Sequence, residues 1–238
     1  MLRELIWDSF FFKKKIGELV KIPREKRHLE SLIEKAKSKG FSYIVCKLHS
    51  QRSENIHILE ALNFYLTDIG VIWEIQTDKY PHKTKALRPK KYLTVREALR
   101  SDIPELKKIS KSLFPESRFY HDPFFSKKEA DDLFQAWIEN SVNGNAADIV
   151  FYVPGKGFIT CKKTNAKTGE IRLIGVRKKF RSKGVGSLLM ERAMEWFKVH
   201  DISVVSVRTQ LKNIDAVNFY VKRGFSLKAY DMVYGKIL

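Results

Sequence analysis

Apolar and polar positions along this chain follow two rhythms, and the chain switches between them often. Alternating or short continuous apolar runs, rich in aromatic and β-branched residues, predict strands at Leu5–Phe12, Ile16–Ile22, Phe41–Leu48, Leu66–Gln76, Tyr92–Ala98, Ile149–Val153, Gly157–Cys161, Gly169–Val176 and Ile202–Thr209, with Ser226–Leu238 closing the chain as a pair of strands. Apolar residues three and four apart predict helices at His28–Lys39, Asn55–Leu62, Asp102–Leu113, Ala130–Val142, Gly186–Val199 and Asn213–Lys222. Gly40 stands where the first helix should end, and Asp102-Ile-Pro-Glu opens the third, with Asp102 as the capping oxygen. Trp7 and the Phe10–Phe12 run read as core of the first part.

The prolines and charges around 78–91 mark a boundary, giving a small α/β unit at 1–80, a linker at 81–91 and a larger unit at 92–238. The small unit echoes the larger one. Lys47-Leu-His-Ser-Gln, Asn55-Ile and Leu62-Asn-Phe-Tyr-Leu parallel Val207-Arg-Thr-Gln, Asn213-Ile and Arg223-Gly-Phe-Ser-Leu, with a gap of about two residues.

Composition then narrows the classes. An apolar share of 44% in 238 residues supports a real core. No apolar run approaches the ~18–20 residues of a membrane span. The opening MLRELIWDSFFFKKK lacks the apolar centre of a signal peptide. Cys46 and Cys161 sit in strand-like apolar runs and read as buried, reduced thiols, which points to the cytoplasm. The net charge of +18 suits a polyanionic ligand. The lysines are spread along the chain and offer no reader of bases, so neither nucleic acid nor a membrane is the expected partner.

The chemistry gathers at 171–190, IRLIGVRKKFRSKGVGSLLM. A strand with Ile174 and Val176 leads into Arg181-Ser182-Lys183-Gly184-Val185-Gly186-Ser187, and a helix follows. Glycines let a backbone approach a ligand, and the first amides of a helix have no partner inside it, so such a turn suits a phosphate. An ATP loop would need its lysine after the glycine, and a dinucleotide fingerprint would need a small residue where Leu189 stands. A plain glycine-bearing turn between strand and helix is the bland alternative.

The Arg-x-x-Gly-x-Gly pattern, with its strand and helix, resembles motif A of the GNAT acetyltransferases. SRFYHDPFF at 117–125, LFQAWIENSV at 133–142 and the opening Trp-Asp-Ser-x-Phe-Phe resemble the TDP-fucosamine acetyltransferase family, whose members acetylate a 4-amino-4,6-dideoxy-sugar nucleotide. The resemblance implies an α/β (α+β) chain with a GNAT fold: a mixed, mostly antiparallel sheet flanked by helices, preceded by a smaller, truncated GNAT-like domain without its own CoA site. It implies acetyl-CoA as co-substrate, bound by residues 181–187, by the backbone of Ile174 and Val176, and by Asn213. Asn213, Ala216, Val217 and Tyr220 share one helical face, which directs Tyr220 at the cofactor cleft. A phenol near pKa ~10 can protonate a thiolate near ~8.5, so Tyr220 is the expected acid, with an aromatic core residue as the alternative. Arg118, Tyr120 and His121 are candidates for acceptor contacts, and His121, Glu139 and Glu170 for the base. No metal is expected. The acceptor is a small-molecule amine, a sugar nucleotide on this resemblance, and a homodimer is allowed for. Other readings are a GNAT acting on a protein N-terminus, a lysine or a polyamine, or a non-catalytic binding protein on the same fold.

Overall fold

The computed structural model of the protein describes residues 1–49, 53–81 and 94–238. Its elements run β1 (Leu2–Glu4), α1 (Ile6–Phe12), β2 (Ile16–Leu19), α2 (Lys26–Ser38), β3 (Tyr43–His49), α3 (Ser53–Glu60), β4 (Tyr65–Gln76), β5 (Arg96–Glu97), α4 (Ile103–Ser110), α5 (Lys127–Val142), β6 (Ile149–Val153), β7 (Gly157–Lys163), β8 (Thr168–Val176), α6 (Val185–Val199), β9 (Val204–Gln210), α7 (Ile214–Val221) and β10 (Ser226–Ile237). These ten strands form one sheet in the order β1-β2-β3-β10-β4-β9-β8-β7-β6-β5. β2–β3 and β8–β9 are parallel. The other neighbours are antiparallel. The sheet is therefore mixed and mostly antiparallel, with helices packed on it, as the family resemblance implies.

The echo between the two parts is a structural repeat. β3, α3 and β4 have counterparts in β9, α7 and β10, each element 161 residues further on. The parallel ladders match as well: Ile16–Leu19 against Tyr43–Cys46, and Thr168–Ile171 against Val204–Val207. No gap is needed, so Asn55 corresponds to Ala216 rather than to Asn213. The order β2-β3-β10-β4-β9-β8 reads the same from either end when counterparts are exchanged. Each repeat gives its last strand to the other: β10 pairs with β3 and β4 pairs with β9.

Burial holds the two repeats in the same way. Leu29, Ile33, Leu59 and Phe64 fill a core under α2 and α3. Leu189, Met190, Phe197, Tyr220 and Phe225 fill the matching core under α6 and α7. Each fully buried aliphatic or aromatic side chain of this kind stabilises the fold by about 1.5–3 kcal/mol. The third cluster joins α1 to the 117–125 loop and α5 through Phe12, Phe119, Phe125 and Leu133. The α5 helix starts on a reciprocal cap: Ser126 Oγ accepts from Glu129 N–H, and the Glu129 carboxylate accepts from Ser126 N–H.

Several expectations change. Leu5–Phe12 is not a strand, since α1 occupies Ile6–Phe12, with Trp7 and Phe11 stacked one turn apart at 5.0 Å. Only Phe12 of the expected aromatic core is buried, while Phe10 is 84% exposed and Trp7 41%. Asp102 does not cap α4. Its carboxylate accepts from both Arg96 Nη atoms and from Leu99 N–H. The closing segment is one strand, β10, bent by register shifts at 227/229 and 233/234. The strand expected at Tyr92–Ala98 is described only from residue 94 and forms Arg96–Glu97. The expected linker at 81–91 lies, apart from Pro81, outside the described residues. Both cysteines are buried and free, and burial pushes the Cys46 thiol up to about 12. Among the described residues, no helix is long and apolar enough to cross a membrane.

Candidate active site

The parallel ladder of β8 and β9 stops at Ile171 and Val207. β8 nevertheless continues to Val176, paired with β7 on its other edge, and β9 continues to Gln210, paired with β4. The strands part, and a cleft of about 500 Å³ opens between them. Glu170, Leu173 and Ile174 of β8, Arg208 and Gln210 of β9, and Asn213, Ala216 and Tyr220 at α7 line it. Ile174 and Val176 thus sit on a strand whose cleft edge has no paired strand among the described residues.

Past Val176 the chain makes a tight turn at Lys178–Phe180 and then the predicted loop. Ser182 and Gly184 take positive φ, 57° and 89°. Gly184 is the N-cap of α6, with no side chain capping the helix. The first intrahelical bond is Leu188 N–H to Gly184 O at 3.0 Å, so the amides of 185–187 have no acceptor within the helix. A Cβ on Gly186 would come within 3.1 Å of the Phe219 ring, so this glycine sets how closely α6 approaches α7. Arg223 braces the same junction. Its guanidinium stacks 3.6 Å from the Phe219 centroid and donates to the Ser187 hydroxyl. Arg181 Nε donates to Val176 O at 3.2 Å, and its Nη1 stands 3.7 Å from Asp215. Lys183 is exposed beside it. Strand end, loop and helix start form one basic, amide-lined turn just beyond the β8 residues that line the cleft.

Asn213 caps α7 by accepting from Ala216 N–H at 3.2 Å. Tyr220, two turns on, is 3% exposed, and burial raises its phenol well above the ordinary tyrosine range, with the Arg223 charge opposing. The hydroxyl therefore holds its proton at neutral pH.

The acceptor candidates separate. Arg118 and Glu170 line the cleft, and Glu170 stands 3.1 Å from Arg172. Tyr120, His121 and Glu139 have other partners: Tyr120 donates to Asp131 at 2.7 Å, the exposed His121 ring contacts Pro115 O at 2.8 Å, and Glu139 pairs with Lys107 at 2.8 Å. None of the three lines the cleft. Sequence reasoning missed Asp8, Glu18, Lys47 and Asp68, all from the first repeat and all in the cleft wall. One signal was available. The Ile16-Gly-Glu-Leu strand copies Thr168-Gly-Glu-Ile, so a glutamate in one wall implied its twin in the other. Burial raises the carboxyl groups of Asp8 and Asp68, with Arg118 and Arg208 respectively as the main opposing charges.

The model of the acetyltransferase (GNAT) family matches residues 108–225, which include the loop, the splayed strands and Tyr220. Streptothricin acetyltransferase A of Bacillus subtilis is 34% identical over 120 residues, 50% of this chain and 67% of that protein. This chain belongs to the GNAT family. A dTDP-fucosamine acetyltransferase of Escherichia coli is 27% identical over 137 residues, 56% of this chain but only 58% of that relative. A GCN5-related N-acetyltransferase structure from Sphaerobacter thermophilus covers 99% of this chain and 76% of its own, with a TM-score of 0.66 at 12% identity, which is a likeness of fold. The GNAT fold thus runs through both repeats.

Proposed function

We propose that this protein is an acetyl-CoA-dependent N-acetyltransferase whose acceptor is an amino-sugar nucleotide of the 4-amino-4,6-dideoxyhexose type. The observation that carries the reading is the join of uncapped amides at 185–187 with a parted β8–β9 pair and a buried phenol at its floor. In the division of labour proposed here, 92–238 carries transfer and 1–80, a truncated counterpart, supplies acceptor contacts. The diphosphate of acetyl-CoA is held at 181–187, and the pantetheine arm runs along the free edge of Ile174–Val176 and past Asn213.

The chemistry balances with these residues. The neutral amine attacks the thioester carbonyl carbon, a C–N bond forms, and the C–S bond breaks. The sulfur leaves as thiolate and takes the Tyr220 hydroxyl proton, and the amine's surplus proton leaves through a cleft carboxylate or water. Backbone N–H groups of Ile174 and Val176, on the strand edge that leaves β9, would stabilise the developing oxyanion. The 27% relative named for dTDP-fucosamine supports the sugar-nucleotide acceptor, as do the SRFYHDPFF loop and the Trp-Asp-Ser opening. The test is thiol release from acetyl-CoA against a panel of amino-sugar nucleotides, free amino sugars, peptides and polyamines. Turnover with the nucleotide-linked amines supports the reading. Turnover confined to peptides or polyamines overturns the acceptor, and no heat on titrating acetyl-CoA overturns the transferase.

A further inference from the structure

The two stretches that set this sequence apart, Trp7-Asp-Ser and SRFYHDPFF, lie far apart in the chain and meet in one wall of the cleft. Phe12 packs on Phe119 and Phe125, with ring centroids 6.0 and 4.7 Å apart, and Lys14 Nζ donates to Phe124 O at 3.1 Å. These contacts fix α1 against the loop, and each brings one charge to the cleft, Asp8 and Arg118.

Among the described residues, each keeps unused capacity: Arg118 has a donor without an acceptor, and Asp8 has no ion pair. Arg118 lies over the Phe119 ring, 4.4 Å from its centroid, and its Nη1 is buried with no hydrogen-bond acceptor. The nearest carboxylate, Asp122, stands 4.0 Å away. Its oxygens already accept from the hydroxyls of Tyr43 and Tyr65 and from Phe124 N–H. An ion-pair distance without a hydrogen bond leaves the guanidinium short of an acceptor, which is costly for a buried charged donor. Asp8 makes no ion pair among the described residues, although Arg118 is the largest charge that favours its ionised form.

We infer that Asp8 and Arg118 form a composite acceptor-recognition pair, in which Arg118 takes a negatively charged oxygen of the acceptor and Asp8 accepts from its hydroxyl or amine hydrogens. This rests on the transferase reading and sharpens it: the acceptor is an amine that also carries an anion, as a sugar phosphate or sugar nucleotide does. A polyamine would set a second cation against Arg118 and be disfavoured.

The probe is dTDP, with acetyl transfer to dTDP-4-amino-4,6-dideoxyglucose, to the same amino sugar without its nucleotide, and to spermidine. In the wild type, dTDP should bind by calorimetry and compete with the nucleotide-linked acceptor. Arg118→Gln should weaken dTDP binding and raise that acceptor's KM about tenfold or more, the scale of a lost charged hydrogen bond, with the KM for acetyl-CoA within about twofold. Asp8→Asn should raise the same KM and leave acetyl-CoA binding intact, and it serves if the arginine variant fails to fold. Unchanged acceptor KM in the folded variants, spermidine as the preferred acceptor, or no dTDP binding to the wild type would overturn the pair. Absence of acetyl-CoA binding would sink the transferase reading instead, and the dTDP titration would still decide whether the anion site exists.

Discussion

The two repeats share a frame and differ where a ligand could enter. Their helix ends match bond for bond. Phe64 N–H donates to Leu59 O at 2.9 Å, as Phe225 N–H does to Tyr220 O at 3.2 Å. Asn63 takes φ 58° where Gly224 takes 79°. Ser42 N–H bonds Lys15 O, as Ser203 N–H bonds Lys167 O. The partners of those last two bonds are 27 positions apart in the first repeat and 36 in the second, so the second has nine more residues for the long end of β8 and the loop. The strand edge that parts from β9 is this added length. At the helix start, the 161-residue spacing sets Pro23 opposite Gly184 and Glu25 opposite Gly186. Proline cannot adopt a positive φ, and a carboxylate at the helix start repels the anion that a glycine admits. The first repeat has a hollow of its own, beside Lys21, Pro23, Arg24 and Asn55, whose lining among the described residues holds no tyrosine, aspartate or glutamate.

The largest effect should come from the position where the repeats differ most in chemistry. Tyr220 can donate a proton, and its counterpart Leu59 cannot. Tyr220→Phe should lower kcat by about 10²–10⁴-fold, the range for a lost general acid, with acetyl-CoA affinity kept. Because burial raises this phenol, the acid form persists as pH rises, so kcat should show no alkaline fall from Tyr220 up to about pH 10, its unperturbed value. Stopped-flow single turnover measures the chemical step. A variant within threefold of wild type would return Tyr220 to the core alongside Leu59.

The counterpart should show the reverse pattern. Leu59 is fully buried. Leu59→Ala leaves a cavity and should cost about 2–5 kcal/mol of stability by urea denaturation. Acetyl-CoA affinity and kcat of the folded fraction should hold. A tenfold change in kcat would show that the first repeat reaches into the chemistry, and the contrast between the halves would fail.

Copying the first repeat's residue into the second tests the loop. Gly186→Glu places a side chain where even a Cβ meets Phe219 at 3.1 Å, and adds a negative charge beside amides 185–187. Acetyl-CoA affinity should fall about tenfold or more, roughly 1.4 kcal/mol, as measured by calorimetry. The Tyr220 environment should change little, so kcat at saturation should fall less than KM rises.

Much of the second repeat was legible in sequence because its signals are local. Arg181 to Ser187 carries its own geometry, and Asn213 to Tyr220 shares a face by simple periodicity. The acceptor wall was not legible. Asp8, Glu18, Lys47 and Asp68 come from four separate elements; Glu18 and Lys47 meet through the β2–β3 pair, Asp68 joins them only because β10 and β4 lie exchanged in the sheet, and of the four only Glu18 left a trace in the repeat. His121 and Glu139 were plausible by type, but the chain turns them to Pro115 O and Lys107. The α1 misreading has a similar cause. Seven residues with aromatic content suit a strand by propensity, and the stacked Trp7–Phe11 pair with Lys13 in a left-handed turn decides otherwise.

The smallest effect should come from the point where the repeats agree in backbone and differ in residue. Asn63 and Gly224 end equivalent helices in the left-handed region. Asparagine visits that region at modest cost, and glycine at almost none. A Cβ on Gly224 would meet Ile75 at 3.6 Å and Pro81 at 3.7 Å, ordinary contacts. Gly224→Asn should therefore cost under about 1 kcal/mol, whereas a β-branched Gly224→Val, placed where such residues are true outliers, should cost more. Thermal denaturation of the two variants separates a backbone requirement from a space requirement. Equal losses would mean that packing against Ile75, rather than the shared turn, holds glycine at this place.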